Sequence, residues 1–90
     1  MLIPKVENMT SPSSGKEVAN QFLIKIGGTE YFQSYDSIIG MWNKDGITLD
    51  ETYWQYSTTT AKYRNQWLGM KKSEIEKKIE SAEIKLSNLN

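Results

Sequence analysis

The side chains best suited to acid–base chemistry in this sequence are carboxylates, and Asp45, Asp50 and Glu51 form the tightest group of them. Two carboxyls facing one cleft with divided pKa values could act as general acid and base, but nothing in this spacing brings two together. The chain holds no histidine and no cysteine. That removes an imidazole base, a Ser-His triad, a thiolate nucleophile, disulfides, and zinc held by His or Cys. Gly27-Gly28 stands alone, without the flanking pattern of a dinucleotide or phosphate loop, and no calcium-loop spacing occurs. The expectation is a protein that is not an enzyme and uses neither metal nor cofactor.

The second group with chemical capacity is basic and aromatic. Eleven basic residues balance eleven acidic ones, and a neutral total argues against a general nucleic-acid binder. The charges are nevertheless segregated. Residues 29–60 carry Glu30, Asp36, Asp45, Asp50 and Glu51 against Lys44, a net of −4. Residues 61–78 carry Lys62, Arg64, Lys71, Lys72, Lys77 and Lys78 against Glu74 and Glu76, a net of +4. Arg64 is the single guanidinium, able to grip carboxylate or phosphate through two parallel hydrogen bonds. Tyr63 beside it supplies a ring. Lys62, Tyr63, Arg64, Lys71 and Lys72 are therefore the candidate partner-binding residues. Tyr31, Tyr35, Trp42, Tyr53, Trp54, Tyr56 and Trp67 add to the aromatic density. Such rings either build the core of a leucine-poor domain or stand exposed as binding anchors. The two readings separate on burial: if Tyr63 and Trp67 both face the sheet, only the basic residues remain for a ligand.

These residues must be positioned by short elements. Residues 7–16, rich in small polar residues with Pro12 and Gly15, read as part of an N-terminal arm or loop spanning 1–16. Residues 20–26 alternate, with Phe22, Ile24 and Ile26 on the expected core face and Gln21 and Lys25 opposite. Gly27-Gly28 predicts a tight hairpin into a return strand at 29–35. A third strand at 37–42 is apolar on both faces, and Gly40 within it suggests a bulge or a close backbone approach. Asn43-Lys44-Asp45-Gly46 predicts a turn into a short fourth strand at 47–49. Ser57 is placed to cap a helix over 58–68, ended by Gly69 at C′; its threonine run at 58–60 demands tertiary support. Ser73-Glu74-Ile75-Glu76 matches a capping box, and the spacing of Ile75, Ile79, Ala82 and Leu86 predicts a second helix. Lys71 and Lys72 then sit at its positive end, where the helix dipole disfavours them.

The fold expected is α+β: a four-stranded antiparallel meander followed by two C-terminal helices, as one domain over 17–86 with a frayed tail at 87–90. Ninety residues at 38% hydrophobic support one small core. The expected core is Phe22, Ile24, Ile39, Leu49, Ile75 and Ile79. No apolar run exceeds three residues, so no membrane span is expected, and Met1-Leu2-Ile3-Pro4 has no basic or long apolar region of a secretory signal.

One stretch is familiar as a string. Phe32-Gln33-Ser34-Tyr35-Asp36-Ser37-Ile38-Ile39 is followed by Leu49-Asp50, Tyr53-Trp54, Tyr56-Ser57, Thr59-Thr60, Lys62-Tyr63-Arg64 and Trp67-Leu68-Gly69. Over residues 20–69 this resembles a group of small proteins carried by phages and other mobile elements. The group has no established catalytic residues, so no site transfers. Small mobile-element proteins of this kind are often inhibitors of host defence, such as anti-CRISPR proteins. The resemblance therefore implies a monomer or homodimer in the host bacterial cytoplasm that blocks a defence nuclease, an RNA-guided CRISPR effector or its guide-RNA complex. The alternatives are a small RNA- or ssDNA-binding protein using the 61–78 segment, and a structural or regulatory phage protein acting by homo-oligomerisation.

Overall fold

The computed structural model describes residues 3–90 and has α+β architecture. In chain order the elements are β1 (Lys5–Thr10), β2 (Glu17–Ile26), β3 (Thr29–Ser34), β4 (Ser37–Asn43), β5 (Gly46–Asp50), α1 (Thr58–Leu68), α2 (Lys72–Glu80) and β6 (Ile84–Ser87). The strands form one sheet in sequence order. Neighbours from β1 to β5 are antiparallel, and β6 closes the sheet parallel to β5. The sheet is thus six-stranded and mixed, not a four-stranded meander.

The two extra strands arise where local patterning is weak. β1 replaces part of the expected N-terminal arm; only residues 11–16 form a loop, and residues 1–2 of that arm lie outside the described residues. Val6 and Met9 are its apolar residues, three apart, so the strand has no alternation to read. A register shift between Asn8 and Thr10 turns Met9 into the core. At the other end, Ile84-Lys85-Leu86-Ser87 fits a helical stripe or an alternating strand equally well over four residues. The strand wins because Ala82 leaves the helix with φ 64° and Ile84 then fills the space beside Leu49 and Ile75. Pairing Ile47 with Ile84 also satisfies an edge of β5 that would otherwise be open. The expected frayed tail is tied down: Glu51 N–H donates to Ser87 O at 2.9 Å, and the Asn90 side chain exchanges two hydrogen bonds with the Ile38 backbone.

Turn and cap chemistry follows the sequence more closely. Gly27, at φ 60°, closes the β2–β3 hairpin. Asn43 accepts the Asp45 N–H at 2.9 Å, and Gly46 takes φ 116°. The Ser57 hydroxyl caps α1 by accepting from Thr60 N–H, and Gly69 ends it in the left-handed region. The threonine run finds its support in Thr60, which is buried and hydrogen-bonded to Ser34 Oγ at 2.8 Å. The capping box at Ser73 does not form. The first turn of α2 closes on Lys71 O, through Ile75 N–H at 3.0 Å, so Ser73 already lies inside the helix and caps nothing.

Both helices pack on one face of the sheet. That face carries Leu23, Phe32, Ile39 and Leu49, against which Tyr63, Trp67 and Ile75 pack. The register shift in β4 sets Ile39 and Gly40 side by side on it. A Cβ on Gly40 would lie 2.7 Å from Leu49 Cδ2 and 3.0 Å from Trp67 Cζ3. Gly40→Ala is therefore expected to cost about 1–3 kcal/mol through overpacking, read as a lowered melting temperature; a melt matching wild type would mean that α1 stands further from the sheet.

The alternation of β2 is present, but its facing is the reverse of that expected. Leu23 pairs with Phe32 on the helix side, and Gln21 is enclosed there, while Phe22, Ile24 and Ile26 point to the opposite face. They are half-buried by neighbouring strands alone. Of the expected core, Ile39, Leu49 and Ile75 are fully buried and Ile79 packs against them; Phe22 and Ile24 belong to the other side of the sheet.

Candidate functional site

The carboxylates that could do chemistry are dispersed. Asp45 is exposed in the β4–β5 turn and Glu51 is exposed after β5. Asp50 is buried, and its oxygens are committed to the backbone. Oδ2 accepts Thr52 N–H at 3.0 Å and Tyr53 N–H at 2.8 Å, and Oδ1 accepts Leu89 N–H at 2.7 Å. Burial alone would raise its pKa, but these bonds and the Asn90 side chain outweigh it and hold the carboxyl below its ordinary value. Asp50 is a joint between β5, the following turn and the C-terminus. Among the described residues no three carboxylates gather as a metal-ligating group.

The candidate partner-binding residues divide by burial. Tyr63 packs with Met9, Phe32 and Ile39, and Trp67 packs against the sheet with its ring centroid 5.7 Å from that of Phe32. Arg64, expected to offer its fork to a partner, is 0% exposed. Its Nη1 donates to Trp54 O at 2.8 Å, and its Nε and Nη2 donate to Asn65 Oδ1 at 3.2 and 2.8 Å. The guanidinium lies 5.2 Å from the Trp54 ring centroid. Burial lowers its pKa, with Glu76 acting in the opposite sense. Arg64 thus fastens the 51–57 segment to α1, and neither Arg64 nor Tyr63 has a face left for a ligand.

Lys62, Lys71 and Lys72 are exposed. Lys62 lies over the Tyr63 ring at 5.3 Å, and Lys71 and Lys72 stand at the N-terminus of α2, as the charge argument places them. Among the described residues none of the three pairs with a carboxylate; Lys78, in the same segment, pairs with Glu83 at 3.0 Å. The accessible part of the site is thus three lysines without the arginine fork or the tyrosine ring.

A second feature was not legible from spacing. Glu30 Oε1 accepts from both Trp67 Nε1 at 2.7 Å and Trp42 Nε1 at 3.3 Å. Lys25 Nζ lies 3.7 Å from the other Glu30 oxygen and 3.3 Å from Glu7. Both bonded carboxylates raise the Lys25 pKa, Glu7 foremost. Glu30, Trp42, Ile47, Trp67 and Leu68 line a shallow groove, and Trp42 is 47% exposed. The signal available in the sequence was one acidic residue within an apolar strand; its two indole partners come from residues 12 and 37 positions away.

Among the described residues no helix is long and apolar enough to cross a membrane. No curated protein and no solved structure matches the chain. Residues 4–83 match the model of a family described as of unknown function, DUF8033. The match takes in β1 through α2 and stops just before β6, so the chain belongs to that family.

Proposed function

We propose that this is a non-enzymatic binding protein that docks on a host-defence nuclease, an RNA-guided CRISPR effector, through its exposed lysines. The observation that carries the docking surface is the sorting of the basic segment. Arg64 is consumed in the interior and Lys78 in an ion pair, while Lys62, Lys71 and Lys72 are exposed and, among the described residues, have no carboxylate partner. Two of them sit where the dipole of α2 disfavours them, a local cost that a partner's negative charge would offset. The nature of the target rests on the resemblance of residues 20–69 to small mobile-element proteins. Acting by occupation of a surface fits a chain whose buried acid and buried base are both held in structural bonds.

The test is the triple variant Lys62→Ala/Lys71→Ala/Lys72→Ala. Exposed substitutions of this kind change stability by about 0.5 kcal/mol or less each, so the melt should stay close to wild type. Inhibition of effector cleavage should fall, and if the contacts are guide-RNA phosphates the salt dependence of binding should flatten by about two to three in log–log slope. Unchanged inhibition by the folded variant would remove the lysines from the site. Binding to free single-stranded RNA as tight as to the effector would favour the RNA-binding reading instead.

A further inference from the structure

The sheet has two faces and the helices cover one. The molecule measures 36 × 34 × 20 Å, and the short dimension holds one sheet layer and one helix layer. On the uncovered face, the pairing sets Val6, Ile24, Tyr31, Met41 and Thr48 in one row across five strands. Phe22, Gln33 and Ile38 form a second row, and Ile26 extends the apolar area toward the hairpin. None of these side chains packs into either core cluster. A half-exposed apolar area of this extent, on which Val6 is exposed, is an interaction surface rather than ordinary surface scatter.

The face is also nearly free of charge. The chain has 22 charged side chains. On the strands the helix side takes Lys5, Glu7, Lys25 and Glu30, whereas the uncovered side carries Glu17 at the start of β2, Lys85 on the edge strand β6, and Asp50 at the end of β5, whose carboxylate is enclosed by backbone donors. Asn8, Thr29, Gln33, Asn43 and Thr48 supply its polar atoms without charge. The run Phe22-Leu23-Ile24 and the two-sided apolar character of β4 are the pattern of strands buried on both faces. A surface whose accessible charges sit only at its margins has an uncharged centre that is complementary to another of its own kind, and this molecule presents one.

We infer that a second copy of this chain docks on that face, sheet against sheet, about a two-fold axis. Six strands about 4.8 Å apart, each contributing about six residues at 3.3 Å, give a face of about 500 Å². Two copies then bury about 1,000 Å², the lower bound for a specific interface. Sheets pack face to face about 10 Å apart with strands near −30°, and Lys85 on the edge strand and Glu17 at the end of β2 fall at the rim, where their charges stay in water. Both helix layers, with Lys62, Lys71 and Lys72, then face outward on opposite sides of the dimer. The inference stands independently of what those lysines bind.

Sedimentation of the full chain across the micromolar range should give twice the 10.4 kDa of one copy. The double variant Ile24→Lys/Met41→Lys should sediment as a monomer with the circular-dichroism spectrum of wild type. A wild-type monomer throughout that range overturns the inference, including the case in which the face serves a different protein. A variant that remains dimeric overturns it as well, because the copies would then meet elsewhere. Should the double variant not fold, wild-type NMR with a soluble paramagnetic probe decides. Val6, Ile24 and Met41 methyl signals that become more shielded as concentration is raised support the interface; Val6 methyls broadened as fully as those of exposed Ile3 at every concentration overturn it.

Discussion

Arg64→Ala should be the most damaging single substitution in this chain, lowering stability by about 3–5 kcal/mol. The total for a domain of this size is on the order of 5–10 kcal/mol, so the variant should lose about a third of its stability or more and its urea midpoint should fall sharply. Three losses combine. The Trp54 carbonyl loses its donor at 2.8 Å, Asn65 Oδ1 loses two donors, and the space beside the Trp54 ring empties. Arg64→Lys should recover only part of the loss, because an ammonium cannot span Trp54 O and Asn65 Oδ1 with the planar fork. Urea denaturation of the three proteins checks this. An Arg64→Ala midpoint within experimental error of wild type would mean that the guanidinium is not enclosed. An Arg64→Lys midpoint equal to wild type would assign the effect to charge rather than to geometry.

Asp50→Asn should cost about 2–4 kcal/mol, the range for removing charge-assisted hydrogen bonds from a buried group. Thr52 and Tyr53 N–H converge on one carboxylate oxygen and Leu89 N–H on the other. An amide keeps one acceptor and turns an NH2 toward a donor on the other side. Either the turn after β5 or the C-terminal segment then loses its anchor, and hydrogen exchange at Leu89 or Tyr53 will show which. The pH dependence has a definite sign. Burial works to raise this pKa, but the hydrogen bonds prevail and the folded value lies below the ordinary 3.8. Its contribution to stability is therefore complete above the unfolded pKa and is lost as pH falls through the folded one. Wild-type urea midpoints should drop steeply with acid below about pH 4–5, and the Asp50→Asn protein should show a shallower drop. Parallel acid profiles would mean that another carboxylate governs the loss.

These two buried polar groups mark the limit of reading this chain by residue type. Residue type marks Asp50 and Arg64 as able to do chemistry, and the fold commits both to internal hydrogen bonds. What each does depends on neighbours distant in sequence: Leu89 is 39 positions from Asp50, and Trp54 is 10 from Arg64. Periodicity treats a lone charged residue on a helix as solvated, and burial of a guanidinium against a ring and a carbonyl leaves no trace in spacing. The charge segregation survived folding in part, since Lys62, Lys71 and Lys72 stayed outside without a partner among the described residues, while Arg64 is buried and Lys78 forms a surface ion pair with Glu83.

The features the sequence determined by itself are those set by single residues and their immediate neighbours. Without histidine and cysteine, whole classes of site chemistry are closed to this chain. Gly27, Gly46 and Gly69 take backbone angles that side chains resist, and Ser57 caps the first helix through a bond to Thr60 three positions on. Each is a local energy term, and the chain obeys it wherever the rest of the molecule sits. Tertiary structure decided everything that depends on a choice between two faces or two partners. Alternation in β2 gives period two, but which side is core depends on where α1 and α2 lie, and they lie over Leu23 rather than Ile24. Residues 84–87 fit helix and strand alike, and the open edge of β5 together with the space beside Leu49 and Ile75 selected the strand. β1 has almost no pattern of its own and is held by pairing with β2 and by Met9 reaching the core. In each case local preferences differ by less than the free energy of burying one side chain or satisfying one row of backbone groups, so the contacts made across the sheet settle the outcome.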